Sequence, residues 1–138
     1  MKIKVREISS SGLLFEESVN PRDIGLLEDF INDEVPLTVT GRFERVGDFI
    51  LAKVDVVYGV ENHCARCLER VSGQEKKSFD LDFEAKAGVE YIDVGERVRE
   101  EVIIGYVPRV LCKEDCKGIC PGCGADLNTE SCECEKKH

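Results

Sequence analysis

Six of the eight cysteines lie between residues 112 and 134, in the segment CKEDCKGICPGCGADLNTESCEC, and the other two lie upstream in HCARCLE. Two cysteines three residues apart in a tight turn can direct both sulfurs at one metal ion. Cys120-Pro-Gly-Cys123 has this spacing, and the glycines around it permit the turn conformations. With Cys132 and Cys134, which follow closely, this pair is predicted to form a closed site of four thiolates.

A second set of cysteines has similar spacing. Cys64-Ala-Arg-Cys67 is another C-x₂-C pair, and Cys112 and Cys116 precede the first set. Dividing eight cysteines by four predicts a second site of Cys64, Cys67, Cys112 and Cys116, which would join a hairpin tip to the segment after a helix. A single site, or a mixed set of Cys112, Cys116, Cys120 and Cys123, remains open.

The predicted metal is zinc, as one or two ions. A rubredoxin-like iron site would be indicated by paired C-P-x-C-G knuckles. Only the pair at Cys120 has that form, because Cys67 is followed by Leu68. A thiol redox role for Cys64 and Cys67 is the less favoured alternative, because no strand-to-helix step of a βαβ unit surrounds them.

Charge and composition limit the function classes. The chain has 138 residues and a formal net charge of −9. The N-terminus, MKIKVREISSSG, has no signal-peptide pattern, and no apolar run is long enough to span a bilayer, so a cytoplasmic location without membrane contact is expected. Cytosolic cysteine clusters more often bind metal than form disulfides. Because nucleic-acid-binding proteins are usually basic, RNA binding would require a local basic patch or a basic partner.

The residues indicate no catalytic set, so we expect neither an enzyme nor a small-molecule substrate. His63 is the only histidine within the body of the chain, and no glycine-rich phosphate loop is present. Asp80, Asp82 and Glu84 alternate with apolar residues and are interpreted as the solvent face of a strand. A zinc ion with four thiolates has no open position for water.

The elements that must position the cysteines follow from hydrophobic periodicity. Period-two patterns predict strands over residues 2–8, 12–19, 35–43, 50–60, 79–85 and 89–94. The third and fourth are expected to form a long antiparallel hairpin that turns at Val46-Gly47-Asp48, and HCARCLERVSGQEKK is expected to interrupt the strands that follow.

Two short helices are predicted. One covers residues 21–33, with Asn20 as N-cap, Pro21 in the first turn, and Ile24, Leu27 and Ile31 at helical spacing. The other is DVGERVREEVIIGYVP, with a capping box from Asp93 to Glu96 and Pro108 as its end.

The predicted fold class is α+β, mainly antiparallel β with two short helices and a cysteine-rich zinc-knuckle tail; the strands could close like a barrel. The predicted domains are a β-rich domain over residues 1–111 and a zinc-binding tail over 112–138. After Leu111 the sequence lacks the apolar residues that order a segment by burial, so metal binding would have to order it.

The order of motifs over residues 35–134 resembles the YceD-like family of large-subunit ribosomal RNA accumulation proteins. The motifs are HCARCLERV after a long hairpin, the helix REEVIIGYVP, and LCKEDCKGICPGCGADLN followed by C-x-C. The resemblance implies a non-catalytic ribosome-assembly factor that supports 23S rRNA accumulation or processing. Its implied partner is precursor 23S rRNA or a large-subunit assembly intermediate.

The alternative function is a zinc-stabilised adaptor that binds a basic ribosomal protein or assembly factor without touching RNA. The candidate RNA or partner contacts are the basic residues near the cysteines. They are Arg66, Arg70, Arg109, Lys113 and Lys117, with Lys76 and Lys77 as further candidates. Arg66 is the preferred one, because two predicted ligands flank it and would fix its direction.

Overall fold

The computed structural model describes residues 1–106 and 111–130. Its strands are β1 (Lys2–Lys4), β2 (Leu13–Val19), β3 (Leu37–Val46), β4 (Phe49–His63), β5 (Arg70–Glu84) and β6 (Tyr91–Asp93). One α-helix, α1 (Val94–Ile104), and two 3-10 turns, Val5–Glu7 and Pro21–Ile24, complete the regular elements of these residues.

The strands form two open sheets. One contains β1 and β6, and the other has the order β2-β3-β4-β5. The pairings of β1 with β6, β2 with β3 and β3 with β4 are antiparallel, with Lys4 opposite Tyr91, Val19 opposite Leu37 and Val46 opposite Phe49. The prediction of a mainly antiparallel β fold is confirmed. Barrel-like closure is wrong for the described residues, because the larger sheet ends at β2 and β5 without joining them.

The hairpin of β3 and β4 follows the sequence pattern closely. Leu37, Val39 and Phe43 on β3 are fully buried, and Ile50 and Val56 on β4 are buried with them. The turn needs only two residues between Val46 and Phe49, and Gly47 has a φ of 60°. Glycine at the first loop position adopts this φ without steric cost, and such tight turns match the twist of the strands.

The predicted helix over residues 21–33 is wrong. Only Pro21–Ile24 is helical, as a 3-10 turn, and Gly25 ends it in the left-handed region with a φ of 75°. Asn20 does cap this turn, since its side chain accepts a hydrogen bond from the Arg22 N–H. The apparent helical spacing misled because Leu27 is 70% exposed, whereas Leu26 is buried.

The helix predicted near residue 93 is confirmed as α1. The Asp93 carboxylate accepts a hydrogen bond from the Glu96 N–H at 3.1 Å, and Val98 and Val102 are fully buried. The helix ends at Ile104. Pro108, the predicted end, lies outside the described residues.

β5 begins at Arg70, well before the predicted strand over residues 79–85. Most of the segment that was expected to interrupt the strands is therefore strand, and only Cys64–Glu69 lies between β4 and β5. The polar sequence of this arm carries little periodicity of its own. Hydrogen bonding to β4, its neighbour in the sheet, sets its conformation instead.

The residues group into two compact units. The first contains residues 1–60 and 74–106, and the second contains 61–73 and 107–138. The predicted domains, 1–111 and 112–138, stay a prediction, and residues 61–73 group with the described residues of the tail. Every cysteine among the described residues lies in the second unit, namely Cys64, Cys67, Cys112, Cys116, Cys120 and Cys123.

Gly59 on β4 lies where a side chain has no room. A Cβ there would lie 2.6 Å from the Val35 Cβ and 3.2 Å from the Asn32 carbonyl oxygen. Overpacking of this kind costs about 1–3 kcal/mol. We expect Gly59→Ala to lower the free energy of unfolding by about this amount, measured by urea denaturation. Gly73→Ala on β5 is the control, because nothing lies within 4 Å of its Cβ position. Equal losses in the two variants would contradict the steric explanation.

Candidate metal centre

The Cys64–Cys67 pair occupies the turn between β4 and β5. The Cys64 N–H donates to the Glu69 carbonyl at 2.7 Å, and the Leu68 N–H donates to the Cys64 carbonyl at 2.9 Å. These two bonds close a tight loop around the pair. Leu68 completes it with a φ of 63°, a left-handed conformation that costs a non-glycine residue about 1–2 kcal/mol.

The Cys120–Cys123 pair closes its loop in the same way. The Cys120 N–H donates to the Ala125 carbonyl and the Gly124 N–H donates to the Cys120 carbonyl, both at 2.9 Å. Gly124 occupies the position equivalent to Leu68 and has a φ of 76°. Both C-x₂-C pairs are thus knuckles with the same pattern of backbone hydrogen bonds, although the first has Leu68 where the second has Gly124.

Four sulfur atoms converge at the Cys64–Cys67 knuckle. The Sγ atoms of Cys64, Cys67, Cys112 and Cys116 all lie within 4.8 Å of one another. The Sγ atoms of Cys64 and Cys116 are 3.6 Å apart, as are those of Cys67 and Cys112. A tetrahedral metal with bonds of about 2.3 Å to sulfur separates its ligands by about 3.8 Å. A disulfide needs about 2.05 Å. This cluster therefore has the geometry to hold one metal ion.

Burial also distinguishes this cluster. Cys64, Cys67 and Cys116 are buried, and in the described part of the chain Val71 and Ile119 pack against them. The apolar core that these described side chains form is small. A metal ion would thus supply the cohesion that apolar contacts supply in the first unit.

Backbone N–H groups favour the ionised form of one sulfur. The N–H of Cys67 lowers the pKa of the Cys64 thiol to about 6, against the effect of burial, and the N–H groups of Cys112 and Arg66 contribute. Burial, with the neighbouring Cys116 and Cys67 thiols, raises the pKa of Cys112 to about 12. Thiolates this close repel one another, so a divalent cation is needed before all four can lose their protons.

Asn128 is a supporting residue that the sequence reasoning missed. Its Nδ2 donates to the Cys116 Sγ at 3.3 Å, and its Oδ1 accepts from the Lys117 N–H at 2.9 Å. The pKa of Cys116 is lowered, and the Asn128 hydrogen bond is the largest cause. The turn-forming pair of Asp126 and Asn128 is the one sequence signal near it, and that signal indicates a turn rather than a thiolate contact.

Arg66 braces the cluster. Its Nη1 donates to the Cys116 carbonyl at 2.9 Å, and its own carbonyl accepts from the Ile119 N–H at 3.2 Å. Gly118, with a φ of 82°, passes so close that a Cβ there would lie 3.2 Å from the Arg66 carbonyl oxygen. Arg66, the preferred candidate for an RNA contact, therefore already uses one guanidinium N–H in a hydrogen bond within the protein. The role of Arg66 in RNA binding stays a prediction.

The other residues predicted to contact RNA or a partner have separate environments. Arg70 forms an ion pair with Glu61, and the Lys113 carbonyl accepts a hydrogen bond from the Cys116 N–H. Three predicted residues lie outside the described part of the chain, namely Arg109 and the two cysteines of the other predicted site, Cys132 and Cys134. Their contributions stay predictions.

The described part of the second unit has no excess of positive charge. Residues 61–73 and 111–130 contain six carboxylates and four basic side chains. The carboxylates are Glu61, Glu69, Glu114, Asp115, Asp126 and Glu130, and the basic side chains are Arg66, Arg70, Lys113 and Lys117. A zinc ion with four thiolates would add two further negative charges. This balance does not favour phosphate binding beside the cluster.

Residues 72–138 match the model of a family described as large ribosomal RNA subunit accumulation protein YceD. This match confirms the resemblance to the YceD family that the cysteine motifs indicate. The matched range includes Cys112, Cys116 and the Cys120–Cys123 knuckle, and it begins after Cys67.

Curated relatives extend the comparison. The chloroplast protein of Zea mays named large ribosomal RNA subunit accumulation protein YCED homolog 1 is 29% identical over 69 residues, which are 49% of this chain and 24% of the relative. Its Arabidopsis thaliana counterpart is 35% identical over 49 residues, 36% of this chain and 15% of the relative. An uncharacterized protein of Mycobacterium tuberculosis is 27% identical over 137 residues, 86% of this chain and 66% of the relative. The chain thus spans a quarter or less of the chloroplast relatives, and no solved structure matches it.

Asn128→Ala should weaken metal binding because the Cys116 thiolate loses its side-chain donor. Loss of such an outer contact typically lowers metal affinity 10–100-fold, and we expect about tenfold. Competition with a chromophoric chelator would measure it. Thr129→Ala is the matched control, since within the described residues this exposed neighbour has no side-chain hydrogen bond to the cluster. Unchanged affinity in Asn128→Ala would contradict the supporting role.

Leu68→Gly should stabilise the Cys64–Cys67 knuckle, because glycine adopts the left-handed conformation without steric cost. The 63% exposed leucine side chain contributes little packing. We expect a gain of about 0.5–1 kcal/mol in the metal-loaded protein, measured by thermal unfolding. Leu68→Ala shortens the side chain but keeps the strained Cβ, so it should show no gain. Equal stabilities of the two variants would refute backbone strain at this position.

Proposed function

We propose that this protein is a non-catalytic ribosome-assembly factor that supports accumulation of 23S ribosomal RNA. The match of residues 72–138 to the YceD family carries the proposal, together with the names of the chloroplast relatives. Its partner would be precursor 23S rRNA or a large-subunit assembly intermediate. Within the described residues, no helix is both long and apolar enough to cross a membrane.

Zinc is the metal that we propose for the cluster. Four thiolates close enough to coordinate one ion tetrahedrally suit zinc or iron. Zinc is favoured because the Cys64–Cys67 knuckle lacks the C-P-x-C-G form of rubredoxin-like iron sites. With four protein ligands the ion would have no open position, so its contribution would be structural. It would hold the loop of Cys64–Cys67 against the segment of Cys112–Cys116, and Arg66 and Asn128 would orient that segment.

A second candidate function is that of an adaptor that contacts a basic ribosomal protein through the second unit. The excess of carboxylates over basic side chains in its described part favours this candidate. Negative charge steers a protein toward a basic partner and repels phosphate. The two candidates differ in what the second unit touches, and both place the protein in large-subunit assembly.

Depletion of the protein in cells should lower 23S rRNA relative to 16S rRNA, and the wild-type gene should restore the ratio. Cys116→Ser should fail to restore it and should lose one equivalent of zinc in metal analysis of the purified protein, because one of four sulfurs is gone. Ser72→Ala, an exposed change on β5, is the control and should behave as wild type.

Three results would separate the parts of this proposal. An unchanged rRNA ratio after depletion would refute the ribosomal role. Full zinc content in Cys116→Ser would refute its place among the ligands. Loss of zinc with normal rRNA accumulation would show that the cluster is not required for the function.

A further inference from the structure

The first unit contains a groove whose charge is opposite to that of the chain. The groove has a volume of about 480 Å³ and lies where the end of β1, the end of β3 and the loop from β5 to β6 meet. Its charged lining residues are Lys4, Arg6, Arg45, Lys86 and Glu90. Four basic side chains and one carboxylate thus meet in a protein with a formal net charge of −9.

Within the described residues, ion pairs do not neutralise these basic side chains. In residues 1–106 and 111–130, the ion pairs involve Arg22, Arg42, Arg70 and Arg97 rather than the four basic residues of the groove. Arg6 and Lys86 are exposed, and Lys4 is half-buried. Their charge is therefore directed to whatever enters the groove.

Arg45 is held in place by neutral partners. Its Nε donates to the Gly47 carbonyl at 3.3 Å and its Nη2 donates to the Ala85 carbonyl at 3.2 Å. Carbonyl oxygens orient a guanidinium without cancelling its charge. An oriented arginine loses less conformational entropy on binding an anion, and its planar fork suits phosphate oxygens.

An aromatic ring lies among these charges. Tyr91 lines the groove, is 50% exposed, and lies opposite Lys4 in the register of β1 and β6. Basic side chains for phosphates and an accessible aromatic face for a base are the combination with which proteins bind single-stranded nucleic acids.

We infer that this groove binds the backbone of single-stranded RNA, with Lys4, Arg6, Arg45 and Lys86 at phosphates and Tyr91 against a base. The inference goes beyond the proposed function, which assigns no RNA contact to the first unit, and it rests on that function for the choice of RNA as ligand. Carboxylates of an acidic protein would engage the basic side chains but would leave the exposed ring without a stacking partner. The remaining acidic surface repels RNA, so binding should be confined to the groove and should weaken steeply with salt.

The test uses a fluorescein-labelled 16-nucleotide oligouridine and the full-length protein, with anisotropy measured at several salt concentrations. Arg6→Gln/Lys86→Gln should weaken binding about tenfold and lower the slope of log K against log salt by about one for each substituted side chain. Arg22→Gln/Lys53→Gln is the matched control, since it removes one exposed arginine and one exposed lysine outside the groove. It should leave affinity within about twofold of wild type.

Tyr91→Leu separates RNA from other polyanions. It should weaken binding of oligouridine but leave binding of inorganic polyphosphate unchanged, because only RNA has bases to stack. Failure of the wild type to bind oligouridine, or equal losses in the two double variants, would overturn the inference. Equal losses of RNA and polyphosphate in Tyr91→Leu would overturn the stacking role of the ring.

Expression of Arg6→Gln/Lys86→Gln in depleted cells keeps this inference separate from the proposed function. If the groove serves rRNA accumulation, the variant should restore the 23S rRNA ratio less well than the control variant. Full restoration by both variants would refute the groove's role while the ribosomal function stands. No loss of 23S rRNA on depletion would instead refute the proposed function, whatever the groove binds.

Discussion

The convergence of four sulfur atoms organises the second unit. Cys64 and Cys67 come from the loop between β4 and β5, whereas Cys112 and Cys116 follow α1, and all four Sγ atoms lie within 4.8 Å of one another. Among the described residues, the aliphatic side chains that pack beside them are Val71 and Ile119, which form a small apolar core. Bringing Cys112 and Cys116 to Cys64 and Cys67 closes a long loop of the chain, which costs conformational entropy that these few apolar contacts do not offset. Coordination of a metal ion would offset it, and the same coordination would let four adjacent thiols ionise together.

The first unit rests on a different principle. Its strands bury alternate residues such as Leu37, Val39 and Ile50, and α1 adds Val98 and Val102. This core needs no ion for cohesion. Removal of a metal ion from the cluster would therefore act on the second unit first. β4 and β5 contribute residues to both units, so the strands formed by apolar burial also carry the loop that presents Cys64 and Cys67.

Charge is distributed unevenly between the two candidate functional regions. The described residues beside the cluster carry more carboxylates than basic side chains, whereas the groove lined by Lys4, Arg45 and Lys86 has the opposite balance. A net charge of −9 alone argues against nucleic-acid binding. A net charge is a sum, however, and phosphate responds to the local field. In this arrangement, the acidic surface would limit nonspecific RNA contacts while the groove remains attractive.

Features that depend on neighbouring residues could be predicted from the amino-acid order. Alternation predicted the hairpin of β3 and β4, the spacing of Asp93 and Glu96 predicted the start of α1, and the motif order indicated the YceD family. Local signals failed where distant contacts decide. The spacing of Ile24, Leu27 and Ile31 suggested a helix, but Gly25 ends the turn and Leu27 is exposed. The polar arm of β5 is a strand because β4 supplies its hydrogen bonds.

Which sulfurs meet and which charges gather became visible only in the folded chain. Cysteine spacing favoured the Cys120 set and could divide the eight residues only by arithmetic, because spacing within a motif does not report distance between motifs. The fold brings Cys64 and Cys67 to Cys112 and Cys116, adds Asn128 as a donor to Cys116, and turns Arg66 toward the Cys116 carbonyl. It likewise gathers Lys4, Arg45 and Lys86 from three parts of the chain. Such groupings depend on strand pairing and chain reversal over tens of residues, which no local pattern encodes.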